Sequence, residues 1–359
     1  MKRKDAYPVV FAENAFDAAN PMLADVLRSA ANAERPKVLL VADKNVVQYT
    51  DGLGTMIGRY VKTHGIDLAG SPVVLSGGEK LKSDDMQSAM SVVEAAVSAK
   101  IGVNDIMLVL GGGSILDVAG WAAAQVRGGL RLVRMPTTVA AMADAAHADY
   151  AALDVGGVKD ALRVPSVPAA VVVDIGFAET TLDGVWRAGF SEIVRLAAVS
   201  DAALLKRLSL LAAQMTNRDR ASVDEAVRAA VALRQRKGAT TFGLWSALRL
   251  ESMSGYKLPH GYAVAIGVAI DATYAQLRGH LTEAERDQIC GLLDSFGATE
   301  GVVHSRHLVG QTESIMRGLD AWRLGSGSEA IELPAGLGKK TIEEIPDRDT
   351  MKQALNMLK

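Results

Sequence analysis

The stretch "DIMLVLGGGSILDVAGWAAAQV", residues 105–126, decides the fold. Asp105–Gly113 reads as a buried strand that delivers three glycines, and Ser114–Val126 reads as a helix starting on Ser114. Backbone without side chains can approach a ligand closely. The free N–H groups and the dipole of a helix start attract phosphate. Gly111, Gly112, Gly113 and Ser114 are therefore candidate phosphate-binding positions, although a plain tight strand–helix turn would use the same residues. The spacing is not G-x-G-x-x-G, so it does not mark an ordinary dinucleotide fingerprint.

Working outward, "KVLLVAD" (37–43), "PVVLSG" (72–77), "LRLVRMPTT" (130–138) and "AAVVVD" (169–174) read as further strands, and "DDMQSAMSVVEAAVSA" (84–99) has helical spacing. Continuous apolar strands alternating with helices indicate a parallel sheet covered on both faces. After Asp174 the texture changes to long Ala-, Leu- and Arg-rich stretches with helical periodicity. The expected architecture is α/β: a Rossmann-like parallel-sheet domain over 1–175, then an all-helical domain over 176–359. The cleft between them is the default site.

Composition sets the limits. The chain has 359 residues, 49% hydrophobic and 22% charged, which is enough apolar material for two large cores. A formal net charge of −2 argues against nucleic acid or an anionic membrane as the main partner. A single cysteine, Cys290, excludes an intrachain disulfide and points to a reducing, cytoplasmic setting. The first residues, "MKRKDAYPVVFAENAF", have no apolar segment after the basic ones, so no secretory signal is expected, and the apolar run around Asp271 is too short to span a bilayer.

Other motifs carry chemistry. Asp43 and Asn45 end a strand, where acids and amides suit ribose or adenine contacts and equally suit a helix cap. Glu79 and Lys82 follow a glycine pair, in what is either a ribose–phosphate contact or a solvated loop. Thr137 and Thr138 stand at a strand end, and Asp144 follows one or two turns later. Glu192 and Arg195 sit at i, i+3 on one helix, as a surface pair or with the carboxylate turned inward. An inward Glu192 with His260 would give a metal one oxygen and one nitrogen ligand.

Taken together, "VADKNV", "GGEKLKS", "LGGGSILDVAGWAAAQVRGG", "RLVRMPTT", "VVVDIGFAETTL", "WRAGFSEIVR", "LPHGYAVAIG" and "ELPAGLGKKTIEEIPD" resemble, in order, the dehydroquinate synthase-like superfamily, nearest to its sugar phosphate cyclases. Glycerol-1-phosphate dehydrogenase and iron-dependent alcohol dehydrogenases belong to the same group. The resemblance implies NAD as cofactor, with Asp43, Asn45, Glu79, Lys82, Gly111, Gly112, Gly113, Ser114, Asp117, Thr137, Thr138 and Thr180 in cofactor-binding places. It implies a divalent metal (zinc, iron or cobalt) on Glu192, His260 and a third ligand, and roles at the reaction centre for Asp144, Lys159, Arg195, Lys237 and Arg127. It also implies a homodimer acting on a small polyol or a sugar-phosphate-like substrate.

Departures cluster at the reaction centre. The family pattern "FGHTFGHAIE" reads "FGLWSALRLE" here, which places Leu244 at the middle ligand and Leu248 at the catalytic histidine. His147, new in its loop, is a candidate substitute ligand. Tyr150 replaces a substrate-binding lysine, Asp160 an amide, and Ala321 and Trp322 a lysine pair. The expected activity is that of an NAD-dependent cyclase or lyase with altered substrate and a reduced metal site. The alternatives are a polyol or alcohol oxidoreductase of the same fold, or an inactive NAD-binding pseudo-cyclase.

Overall fold

The computed structural model describes residues 7–297 and 305–358, which divide into two compact units with the boundary between Thr181 and Leu182. In the first unit, β1 (Val9–Phe11), β2 (Lys37–Asp43), β3 (Asp67–Leu68), β4 (Val73–Leu75), β5 (Ile106–Gly111), β6 (Arg131–Pro136) and β9 (Ala170–Val173) form one sheet. Every pairing in it is parallel. The spatial order is β1-β9-β6-β5-β2-β3, with β4 also on β2.

Parallel order requires crossovers, and the helices supply them. They are α1 (Met22–Ala31), α2 (Lys44–Tyr49), α3 (Leu53–His64), α4 (Gln87–Ser98), α5 (Gly113–Gln125) and α6 (Val139–Ala143). On one face, Val38 and Leu40 of β2, with Ile106, Leu108 and Leu110 of β5, pack with Leu23 and Leu27 of α1 and Ile57 and Tyr60 of α3. The alternate residues Leu39, Val41, Met107 and Val109 are buried as well. Two covered faces explain why these strands read as continuous apolar runs rather than alternating ones.

The chain leaves β2 towards β4 and crosses back to β5, then leaves β5 towards β6 on the other side. The carboxyl ends of β2 and β5 therefore flank a topological switch point, the place where open α/β sheets bind ligands.

One hairpin of this unit was not legible in the sequence. Tyr150–Val155 (β7) and Val158–Pro165 (β8) form a separate antiparallel hairpin, turned at Gly156 and Gly157, both at positive φ. The last element of the first unit is a 3-10 turn, Ile175–Thr180. Asp174 ties that turn in: its Oδ1 accepts from Gly176 N at 3.0 Å and its Oδ2 from Ala15 N at 2.8 Å.

The second unit is helical as expected: α7 (Asp183–Ala188), α8 (Phe190–Ser200), α9 (Ala202–Thr216), α10 (Arg220–Lys237), α11 (Leu244–Met253), α12 (His260–Leu277), α13 (Glu283–Ser295), α14 (Thr312–Ser326) and α15 (Arg348–Met357). It adds one antiparallel hairpin, β10 (Ile331–Pro334) with β11 (Lys340–Glu343). The helix α12 is buried on all sides from Ala263 to Ala275. It meets α11 closely because both contact positions are glycine: a Cβ on Gly267 would collide with the Gly243 carbonyl. Gly243 also holds φ of 77°, a left-handed conformation that other residues adopt only with strain. Asp271 of α12 fixes the start of α11, accepting from Gly243 N at 2.8 Å and Trp245 Nε1 at 2.7 Å. No helix among the described residues is long and apolar enough to cross a membrane.

Candidate functional site

In the first unit the strand ends converge around the glycine turn. A Cβ on Gly111 would lie 2.6 Å from Ile115 Cβ, and one on Gly112 would lie 3.2 Å from Thr138 Cγ2. Glycine is required there because the start of α5 is pressed against its own next turn and against the β6–α6 connection. The first-turn N–H groups of α5 lack carbonyl partners within the helix, so this surface is suited to an anion. Ser114 Oγ accepts from Gly78 N at 3.3 Å, which ties the loop before Glu79 to the same turn. Thr137 is buried, and Thr138 caps α6 by accepting from Ala141 N at 3.1 Å. Asp43 caps α2, accepting from Asn45 N at 2.8 Å. Burial raises the Asp43 carboxyl above its ordinary range, against the hydrogen bonds from Asn45 and Gly77 that lower it.

Behind the turn lies a buried ionic cluster. Lys82 Nζ stands 2.7 Å from Asp117 Oδ2 and 2.7 Å from Asp160 Oδ1, with Glu79 at 3.7 Å and Asp154 at 3.9 Å. Lys159 pairs with Glu79 and lies 3.6 Å from Asp154. The structure thus brings expected cofactor residues (Glu79, Lys82, Asp117) together with the expected catalytic Lys159. It adds Asp154, which also accepts from Asp160 N at 2.8 Å. Burial would raise the Asp160 carboxyl, but Lys82 and Lys159 outweigh it and hold it down at about 2. Asp117 shifts the other way: burial raises it, and Asp160 adds to that, more than Lys82 lowers it.

Asp144 is half-buried where α6 ends. The loop after it is held by buried Arg134, which donates to Ala146 O (3.2 Å), Ala148 O (2.6 Å) and Ser166 O (2.7 Å). His147 is committed to this loop: its ring is buried, its Nε2 is 2.9 Å from Met142 O, and it stacks on Tyr7. The Met142 carbonyl and the Tyr7 ring thus hold the His147 imidazole, the expected substitute ligand, within this loop. Tyr150, at the position of the family lysine, lies under the Arg163 guanidinium, 5.1 Å from its ring centre. Three expected residues are not drawn into either cluster. Arg127 is exposed and donates to Ile101 O, Thr180 Oγ1 donates to Phe177 O, and Lys237 is exposed in the last turn of α10.

In the second unit, α8, α11 and α12 bring four charged side chains into a row. Arg195 donates from Nε and Nη2 to Glu192 Oε2, at 2.9 and 2.5 Å, and from Nη1 to the Thr240 carbonyl. His260 Nε2 lies 3.1 Å from Glu192 Oε1, and His260 Nδ1 lies 2.8 Å from Glu251 Oε1. Glu192, Arg195 and Glu251 are buried, and His260 is half-buried. Burial opposes the charge on His260, but Glu251 and the hydrogen bond to Glu192 prevail and push its pKa up to about 10. Burial would raise Glu192, but Arg195 and His260 hold it down at about 2.

Sequence reasoning gave Glu251 no role. The signal was the glutamate closing the pattern "FGLWSALRLE". At i, i+4 and i+7, Leu244, Leu248 and Glu251 share one face of α11. Two carbon side chains therefore stand beside the acid of α11 that reaches His260.

These residues do not fit a three-ligand metal centre. Glu192 Oε2 is occupied by a guanidinium, Leu244 offers no donor, and no group of three His, Cys, Asp or Glu side chains suited to a metal occurs among the described residues. The glycine turn with its flanking strand ends does fit a dinucleotide, because close backbone approach and helix-start N–H groups coincide at the switch point.

Residues 72–187 match a family model described as 3-dehydroquinate synthase N-terminal, and residues 189–312 match one described as 3-dehydroquinate synthase C-terminal. The chain is 27% identical over 323 residues to a 3-dehydroquinate synthase of Pyrobaculum islandicum, covering 84% of this chain and 92% of that relative. Among solved structures, a 2-epi-5-epi-valiolone synthase from Streptomyces hygroscopicus with NAD+ and Zn2+ bound superposes with a TM-score of 0.86 at 24% identity, covering 100% of this chain and 98% of that one. A 2-deoxy-scyllo-inosose synthase complexed with carbaglucose-6-phosphate, NAD+ and Co2+ gives 0.73 at 17% identity, covering 98% and 97%. At these identities the two structures speak for the fold.

Proposed function

Since the chain belongs to the 3-dehydroquinate synthase family of sugar phosphate cyclases, we propose that it is an NAD-dependent enzyme of cyclase or lyase type whose substrate is a small polyol or sugar-phosphate-like compound other than the family's ordinary keto-sugar phosphate. The observation that carries the reading is the crowded glycine turn between β5 and α5, where side chains are excluded beside a helix start at the sheet's switch point.

When bound, NAD would take a hydride from a substrate carbon bearing a hydroxyl and give it back later in the cycle. The residues of this chain hold and orient. The N–H groups at the start of α5 would hold the pyrophosphate, and Asp43 at the end of β2 would accept from ribose hydroxyls. Glu79, Lys82 and Asp117 form the charged floor behind the turn, and Lys159 is drawn into the same floor. Asp144 and Thr138 stand at the end of β6 and the start of the loop that Arg134 holds. A dianionic phosphate on a substrate needs several positive donors. Tyr150 and Trp322 stand where the family has lysines that supply them, and Asp160 puts a carboxylate where the family has an amide, which supports an altered substrate.

Titration with NAD and NADP by calorimetry tests the cofactor. We expect NAD binding in wild type and at least a tenfold weaker affinity in Gly112→Val, whose branched side chain would meet Thr138 and fill the approach to the α5 N–H groups. Wild type that binds neither dinucleotide refutes the reading. Phosphate release from heptulosonate phosphate and from sedoheptulose 7-phosphate tests the chemistry: release at the family's ordinary rate would refute the altered substrate. Leu244 and Leu248, hydrocarbon where a ligand and a proton carrier would stand, favour a second reading as an NAD-binding protein without turnover. Tight NAD retention with no phosphate release and no reduced nicotinamide across a polyol screen would select it.

A further inference from the structure

We propose that the place of the metal in this fold is held in this chain by a metal-free row of side chains, Arg195–Glu192–His260–Glu251, which ties α8, α11 and α12 together. A buried carboxylate needs a cation. Glu192 has one permanently, because a guanidinium does not give up its charge. Arg195 reaches Glu192 Oε2 through two nitrogens, and its third contact to the Thr240 carbonyl fixes its position. Glu192 Oε1 faces His260 Nε2 at 3.1 Å.

Glu251 is the device that completes the row. In a metal site, a carboxylate behind a histidine turns the far ring nitrogen towards the metal. Here Glu251 holds Nδ1 at 2.8 Å in the same manner, and the far nitrogen meets Glu192. The third donor position is Leu244, and Leu248 on the same helix face is also hydrocarbon. An incoming dication would find one carboxylate oxygen and one imidazole nitrogen, already in contact with each other, and a fixed guanidinium cation beside them. Two protein donors fall short of the three that protein zinc sites use.

The row therefore does the mechanical work of a metal, cross-linking three helices, while leaving no open coordination position. Glu251 is a positioning residue acting through His260. The inference does not depend on dinucleotide binding, so metal content and NAD titration succeed or fail separately.

The test is the metal content of the full-length protein. Wild type is incubated with excess Zn2+ or Co2+, desalted and analysed by mass spectrometry. Less than about one metal per ten chains is expected, and any higher content overturns the proposal. The melting temperature should be unchanged by a chelator or by Zn2+, and a shift with either overturns it. Arg195→Gln removes the cation from Glu192 and should lower the melting temperature by about 5–15 °C. Arg195→Lys should recover part of that loss. A Gln variant as stable as wild type refutes the role of Arg195. If that variant does not fold, the metal content of wild type and of the Lys variant decides alone.

Discussion

Replacing Lys82 by methionine should destabilise the first unit, and more strongly as pH rises. Lys82 Nζ contacts Asp117 and Asp160 at 2.7 Å, with Glu79 at 3.7 Å and Asp154 at 3.9 Å, and its side chain is 5% exposed. At an effective dielectric near 20, each 2.7 Å contact carries about 6 kcal/mol of Coulomb attraction. Desolvation of a buried ion costs on the order of several kcal/mol and offsets much of that sum. Removing one partner of such a set has a net cost of about 3–5 kcal/mol, because the remaining charges stay buried without it. For a unit of this size that is about 6–20 °C in melting temperature.

The pH dependence separates this cause from simple loss of packing. In the variant, Asp117 and Asp160 are buried carboxylates without their nearest cation, so their folded-state pKa values rise above the unfolded value. The folded state then binds protons more readily than the unfolded chain, and stability falls as pH rises through that window. In wild type Asp160 is held down at about 2, so its contribution is present above the unfolded value and is lost as pH falls through about 2. Thermal denaturation of both proteins at about pH 5.5 and 8.5 should show the larger deficit at the higher pH. Equal melting temperatures, or a larger deficit at the lower pH, would refute the reasoning.

Three further outcomes are expected. Gly111→Ala places a Cβ 2.6 Å from Ile115 Cβ, and overpacking there should cost about 1–3 kcal/mol by denaturant titration. Burial raises the Asp271 carboxyl to about 7, against its hydrogen bonds from Trp245 and Gly243. Wild type should therefore lose stability as pH rises towards 7, by on the order of 4 kcal/mol from this group, and Asp271→Asn should flatten the profile by about one proton. Parallel profiles would contradict that assignment. Arg134→Met leaves the carbonyls of Ala146, Ala148 and Ser166 without their charged donor and should cost about 3 kcal/mol or more, with faster amide exchange over residues 145–149.

The parallel sheet was legible because its signals are local. A strand buried on both faces must be apolar along its length, as Val38–Ala42 of "KVLLVAD" and "IMLVLG" are, and both appear as β2 and β5. The hairpin of β7 and β8 was not legible. Tyr150–Val155 has a short buried run that includes an acid, Asp154, and Val158–Pro165 is mostly exposed, so neither reads as a core strand. The hairpin β10–β11 was missed for a related reason: four-residue strands among helices are too short for periodicity to register.

The sequence by itself determined where side chains are forbidden and where donors are missing. Glycine at 111–113 leaves the backbone bare at a strand–helix turn, and leucine at 244 and 248 removes ligand chemistry whatever the fold does around it. Tertiary structure alone decided which charges meet. Lys82 and Asp160 are 78 residues apart, and Glu192 and His260 are 68 apart. Their pairing depends on the packing of helices and hairpins whose apolar residues carry no record of it. A charged residue in the sequence shows only that a partner is needed once it is buried. Packing chose Arg195 for Glu192, a carbonyl for His147, and Glu251 for His260.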